Sequence, residues 1–89
     1  MKDIIVGRVA EVIDSEIIDV EVTQIIRNRH DEYFQKEYIR AKAFLNGSST
    51  YKNIKNNGFL EYQVKGKGVM CLVMGRDSHG CIEADVYTL

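Results

Sequence analysis

The amino-acid sequence predicts a mainly β domain: a five-stranded antiparallel barrel with one helix between the third and fourth strands. Three observations predict it. β-Branched residues crowd the opening third of the chain. Apolar and polar residues alternate with period two in several segments, the signature of a strand with one wet face. Polar or glycine-bearing breaks separate these segments, and with no proline in the chain its seven glycines are the main punctuation.

The first strand is read in Ile4 to Ile13, where isoleucine and valine dominate. Asp14-Ser15-Glu16 is a polar turn. The cleanest alternation follows: Ile18, Val20 and Val22 point one way, and Asp19, Glu21 and Thr23 the other. The two strands form a hairpin. After the charged connection Arg27 to Glu32, a third strand is expected from Tyr33 to Phe44. It places Ile39, Ala41 and Ala43 on one face, and Tyr38, Arg40, Lys42 and Phe44 on the other.

Asn46-Gly47-Ser48-Ser49 ends that strand, and either serine could cap a helix. The helix is weakly written, because Asn56-Asn57-Gly58 is poor helical material. One irregular helix and a loop followed by a short helix both fit. In either, Leu60 and Val64 form an i,i+4 pair suited to packing on a barrel end. Lys65-Gly66-Lys67-Gly68 terminates it, with glycine at the C-cap. Val69 to Met74 is a continuous apolar run of strand length, Gly75 to Gly80 a turn, and Ile82, Ala84 and Val86 mark a last alternating strand. Three strands, a helix and a two-stranded hairpin are the layout of an OB-fold barrel, whose closure removes exposed edges.

Composition bounds the function. Eighty-nine residues make one domain, 1–89, and a formal net charge of −1 argues against a strongly basic nucleic-acid binder while leaving room for a local patch. No apolar run approaches the roughly 18–20 residues of a membrane span. Met1-Lys2-Asp3 lacks a signal-peptide pattern, so a cytoplasmic location is expected. Cys71 and Cys81 have no histidine or cysteine partners at zinc spacing and read as reduced thiols. No metal and no cofactor is expected.

Three segments, in order, resemble the staphylococcal (micrococcal) nuclease-like domain, from about Gly7 to Leu89. Val12-Ile13-Asp14-Ser15-Glu16-Ile17-Ile18-Asp19-Val20 is similar to the family's hairpin V-I-D-G-D-T-I-x-V. Tyr38-Ile39-Arg40-Ala41-Lys42-Ala43-Phe44 is similar to R-I-R-L-x-G-I, which in the family runs into D-T-P-E. Gly68 through Tyr87 is similar to the strand-turn-strand ending D-K-Y-G-R-x-L-A-x-V-Y. The resemblance implies an OB-fold and a cleft in which two aspartates hold calcium, a glutamate serves the attacking water and two arginines grip phosphate.

Carried over position by position, the resemblance departs at the chemistry. The hairpin's first aspartate matches Asp14, and its metal aspartate falls on Glu16, one methylene longer. The first phosphate-gripping arginine matches Arg40. The second metal aspartate falls on Leu45, the neighbouring threonine on Asn46, the glutamate on Ser48 and the second arginine on Cys81. Losing a metal ligand, the base and an arginine together should abolish hydrolysis. No catalytic residue is therefore assigned. Family members often continue into further helices, and a barrel ending at Leu89 is expected to cover exposed surface by self-association.

The expected function is a non-catalytic binding module that contacts nucleic acid through the former cleft, with Asp14, Glu16, Arg40 and Lys42 as its residues. Arg27, Arg29, Tyr38 and Arg76 are candidate peripheral contacts. Several have an ordinary alternative: Asp14 and Glu16 as an acidic turn, Arg40 paired with Glu16 or another carboxylate, and Arg27, Arg29 and His30 as a solvated loop. Tyr33, Phe34 and Tyr38 can pack in a strand rather than stack on bases. Met70, Leu72 and Met74 share one strand face, suited either to core packing or to a partner. Two other functions stay open: a protein-interaction module or homo-oligomer, and an active metal-dependent nuclease with a rearranged site.

Overall fold

The computed structural model describes residues 2–27, 32–45, 52–53 and 58–89. Its elements are β1 (Ile4–Val12), β2 (Ile17–Ile26), β3 (Lys36–Leu45), the two-residue β4 (Lys52–Asn53), a 3-10 turn (Gly58–Glu61), β5 (Gly68–Arg76) and β6 (Ile82–Thr88). β1 pairs with β2 and β2 with β3; β3 pairs with β6, β6 with β5, and β5 returns to β1. This ring of five strands is a closed barrel, and β4 pairs with the far end of β3 at Ala43 and Phe44.

The barrel is not antiparallel throughout, as the sequence suggested. β3 and β6 run parallel, Ile39 beside Ile82 and Ala41 beside Ala84. The reason is parity. Strand direction can alternate around a closed ring only when the number of strands is even, so a five-membered ring requires a parallel seam.

Among the described residues the expected helix is also absent. Between β3 and β5 the described residues hold β4 and the single 3-10 turn. Gly58 opens that turn with a φ of +37°, outside helical geometry. Phe59 and Val64 enter the core fully buried, whereas Leu60 is 63% exposed, so the Leu60–Val64 pair does not form. Phe59 packs edge-on against Phe44 with ring centroids 4.8 Å apart, and its N–H donates to the Ser15 carbonyl at 2.9 Å. An aromatic plug thus does the work expected of a helix. The cap candidates Ser48 and Ser49 lie outside the described residues. Within Lys65-Gly66-Lys67-Gly68, the run expected to cap a helix, Gly66 instead forms a tight turn with φ +85°.

Ile18, Val20, Ile39, Ala41, Ile82, Ala84 and Val86 fill the interior, as the alternation predicted, and Val69 and Cys71 of the continuous apolar run join them. Phe44 is a correction: it is buried, not on the outer face of β3. A bulge between Ala41 and Ala43 advances the strand by one residue, and a one-residue advance sends the next side chain to the opposite face. A second irregularity falls at Gly7, where a Cβ would stand 2.3 Å from the Glu21 carbonyl oxygen. That close approach admits only glycine.

Candidate functional site

One end of the barrel gathers the β1–β2 turn, the middle of β3 and the β5–β6 turn. Asp14 builds the first turn. Its Oδ1 accepts from the N–H groups of Glu16 at 2.8 Å and Ile17 at 2.9 Å, an aspartate turn that explains this residue type here. Ala41 donates its N–H to the Glu16 carbonyl at 2.8 Å and fixes the turn against β3.

Arg40 lies on the outer face of β3, beside Ile17 of β2 and Glu83 of β6. Its Nε donates to Asp77 Oδ2 at 3.2 Å, and a terminal nitrogen stands 3.7 Å from Glu16 Oε2. The hydrogen bond from Arg40 to Asp77 raises the guanidinium pKa, with the Glu16 charge adding to it. Lys42 pairs with Glu83 at 2.8 Å, and that bond raises its pKa.

Asp77 holds the second turn. Its Oδ1 accepts from His79 N–H at 2.8 Å and Cys81 N–H at 3.0 Å, while Gly80 adopts φ +86°. Loss of solvent acts to raise the carboxyl's pKa, but these two N–H groups and Arg40 outweigh it and hold the pKa below the ordinary carboxylate value. The Cys81 thiol beside it is pushed up, first by desolvation and then by the Asp77 charge, so it is a poor nucleophile.

The structure thus brings Asp14, Glu16, Arg40 and Lys42 into one neighbourhood, with Cys81 at its edge. Sequence reasoning missed Asp77 and Glu83, which take up the two cations. An aspartate opening a turn of Ser-His-Gly was a readable signal for Asp77; nothing local marked Glu83, which meets Lys42 through the β3–β6 seam. Four carboxylates (Asp14, Glu16, Asp77, Glu83) surround two cations (Arg40, Lys42), a formal balance of −2. Among the described residues no group of three His, Cys, Asp or Glu side chains is placed to hold a metal ion.

The peripheral candidates disperse. Arg76 is engaged with Glu37 and the Gly80 carbonyl. Arg27 lies at the other end of β2, on an open groove with Thr23, Ile25, Tyr33 and Phe34. Arg29, His30, Asn46 and Ser48 lie outside the described residues. Tyr33 is a packing residue, its hydroxyl donating to the buried Asp3 carboxylate at 2.5 Å. Tyr38 stands on the outer face of β3, 53% exposed, opposite Asp19. No described helix is long and apolar enough to cross a membrane.

Compared with protein families, with curated proteins and with solved structures, the chain matches none.

Proposed function

We propose that this chain is a non-catalytic, nuclease-like OB-fold binding module, and that its ligand is a protein rather than a nucleic acid. The circular strand order β1-β2-β3-β6-β5 with one parallel seam supports the OB-fold reading. Leu45 and Cys81, in place of a metal-ligating aspartate and a phosphate-gripping arginine, support the loss of catalysis. The observation that carries the choice of ligand is the pairing of Arg40 with Asp77 and Glu16. A phosphate would have to compete with both carboxylates and enter a neighbourhood of net negative charge, whereas a protein surface with basic groups would not.

Nucleic acid is the second reading, favoured by Tyr38, which is exposed on the same strand face as Arg40 and Lys42. Titration of the purified chain with labelled single-stranded and duplex DNA, at several salt concentrations, separates the two. Binding weaker than about 100 µM near physiological salt, with no cleavage in calcium or magnesium, is expected. Micromolar binding that falls steeply with salt and is lost in Arg40→Ala overturns the protein reading in favour of the second. Metal-dependent cleavage overturns both.

A further inference from the structure

We propose that the outer face of β1, β5 and β6 is a self-association surface, on which a second copy of this chain sits about a two-fold axis over Met70. This does not depend on the binding-module reading. Strand alternation turns Ile5, Gly7, Val9, Val69, Cys71 and Val73 inward, and leaves Ile4, Val6, Met70 and Leu72 on the outside. Register aligns Ile26, Ile4 and Leu72 in one row across the sheet, and Val6, Met70 and Tyr87 in the next. Ile4, Val6, Met70 and Leu72 are half-buried, each flanked by its strand neighbours, and among the described residues none of them packs against the barrel core. The methionine face is therefore a surface, not an interior.

The rim of this patch selects the occupant. Asp85 continues the Leu72 row, and Arg8 follows Val6 along β1. Neither makes an ion pair among the described residues. They are separated by two strand spacings and four residues of rise, about 16 Å, too far to meet within one chain. Met70 lies midway between them. A two-fold axis in the interface over Met70, along the bisector of that line, sets each Arg8 against the other copy's Asp85. It sets Leu72 near Val6 and Ile4 near its own counterpart, with the strands crossing steeply as in orthogonal sheet packing. The patch spans about 14 by 20 Å, so it covers less than half of the roughly 800 Å² per partner of a standard interface. The dimer is accordingly weak.

Sedimentation equilibrium of the full chain from about 10 µM to about 1 mM tests this. A monomer–dimer equilibrium is expected, and Leu72→Glu should leave monomer throughout. Arg8→Asp and Asp85→Arg, both at rim positions, should each weaken the dimer about tenfold or more, because each replaces two attractions by two repulsions. The double variant should return to within about threefold of the parent, since the pairs reform with charges exchanged. Circular dichroism verifies that each variant is folded, and the charge swap keeps the test open if Leu72→Glu does not fold. Parent protein that stays monomeric at about 1 mM overturns the proposal and gives the face to a different partner. A dimer indifferent to Leu72→Glu, or a double variant with no recovery, overturns it as well.

Discussion

Arg76 grips Glu37 with two nitrogens, 3.0 and 3.1 Å from the two carboxylate oxygens, although Glu37 is only 4% exposed. The same guanidinium donates to the carbonyls of Gly80 and Glu32, and Glu37 also accepts from Phe34 N–H at 2.8 Å. One arginine thereby ties the start of β3 to the β5–β6 turn. The sequence offered it as a peripheral ligand contact; its partners make it a structural tie.

Arg76→Ala should therefore be among the most damaging single changes outside the apolar core. It leaves a buried carboxylate unpaired, at a cost of about 3–5 kcal/mol. The double change Arg76→Met with Glu37→Leu should recover much of that loss, since it removes both charges and keeps volume. Urea unfolding of the three variants measures it, and a single variant within about 1 kcal/mol of the parent refutes the assignment.

Asp77 gives the protein an acid limb. Its folded pKa lies below the unfolded one, so in the interval between them the unfolded chain binds more protons. Its contribution is complete above the unfolded value, near pH 4, and declines as pH falls through the folded value. Asp77→Asn should lower the midpoint of thermal unfolding at pH 7 and flatten its fall below about pH 4. Parallel curves for the two proteins would show that Asp77 is not the group responsible.

Gly7→Ala should destabilise by about 1–3 kcal/mol, because the added Cβ meets the Glu21 carbonyl oxygen and Val20 Cγ1, and backbone is slow to yield. Gly75→Ala is the matched control: nothing stands within 4 Å of its Cβ position. Equal losses in chemical denaturation would remove the steric explanation.

The two thiols should differ sharply toward an alkylating reagent at about pH 8. Cys71 is fully buried, and desolvation pushes its pKa up to about 12. Cys81 is half-buried with a smaller upward displacement. Mass spectrometry of the native protein should find slow labelling at Cys81 and none at Cys71 until denaturant is added. Early labelling of Cys71 would mean that the barrel opens locally around β5.

Much of the barrel was legible because a wet-faced strand writes its fold in period two. Ile18 and Val20 point inward as that period requires. Phe44 was misread because a bulge adds one residue without a local marker, and the period reverses past it. The helix expectation paired Leu60 with Val64 at helical spacing, yet Phe59 rather than Leu60 joins Val64 in the core, and a short apolar stretch cannot distinguish a plug from a helix. At the site, the Arg40–Glu16 approach was among the sequence alternatives and occurs. Asp77, from the β5–β6 turn, became visible as Arg40's stronger partner only once the barrel had closed.

The parallel seam also bears on how the chain finds its structure. β1, β2 and β3 follow one another as neighbours, and β5 and β6 form a hairpin of their own. These two units meet at the β1–β5 and β3–β6 seams, where Ile4 sits beside Leu72 and Ile39 beside Ile82, partners 68 and 43 residues apart in the chain. Nothing local guides those encounters, so the entropy of closing long loops is spent before the contacts return it. Folding should accordingly take about milliseconds to seconds, with a late, nearly simultaneous docking of the two units that shuts the ring.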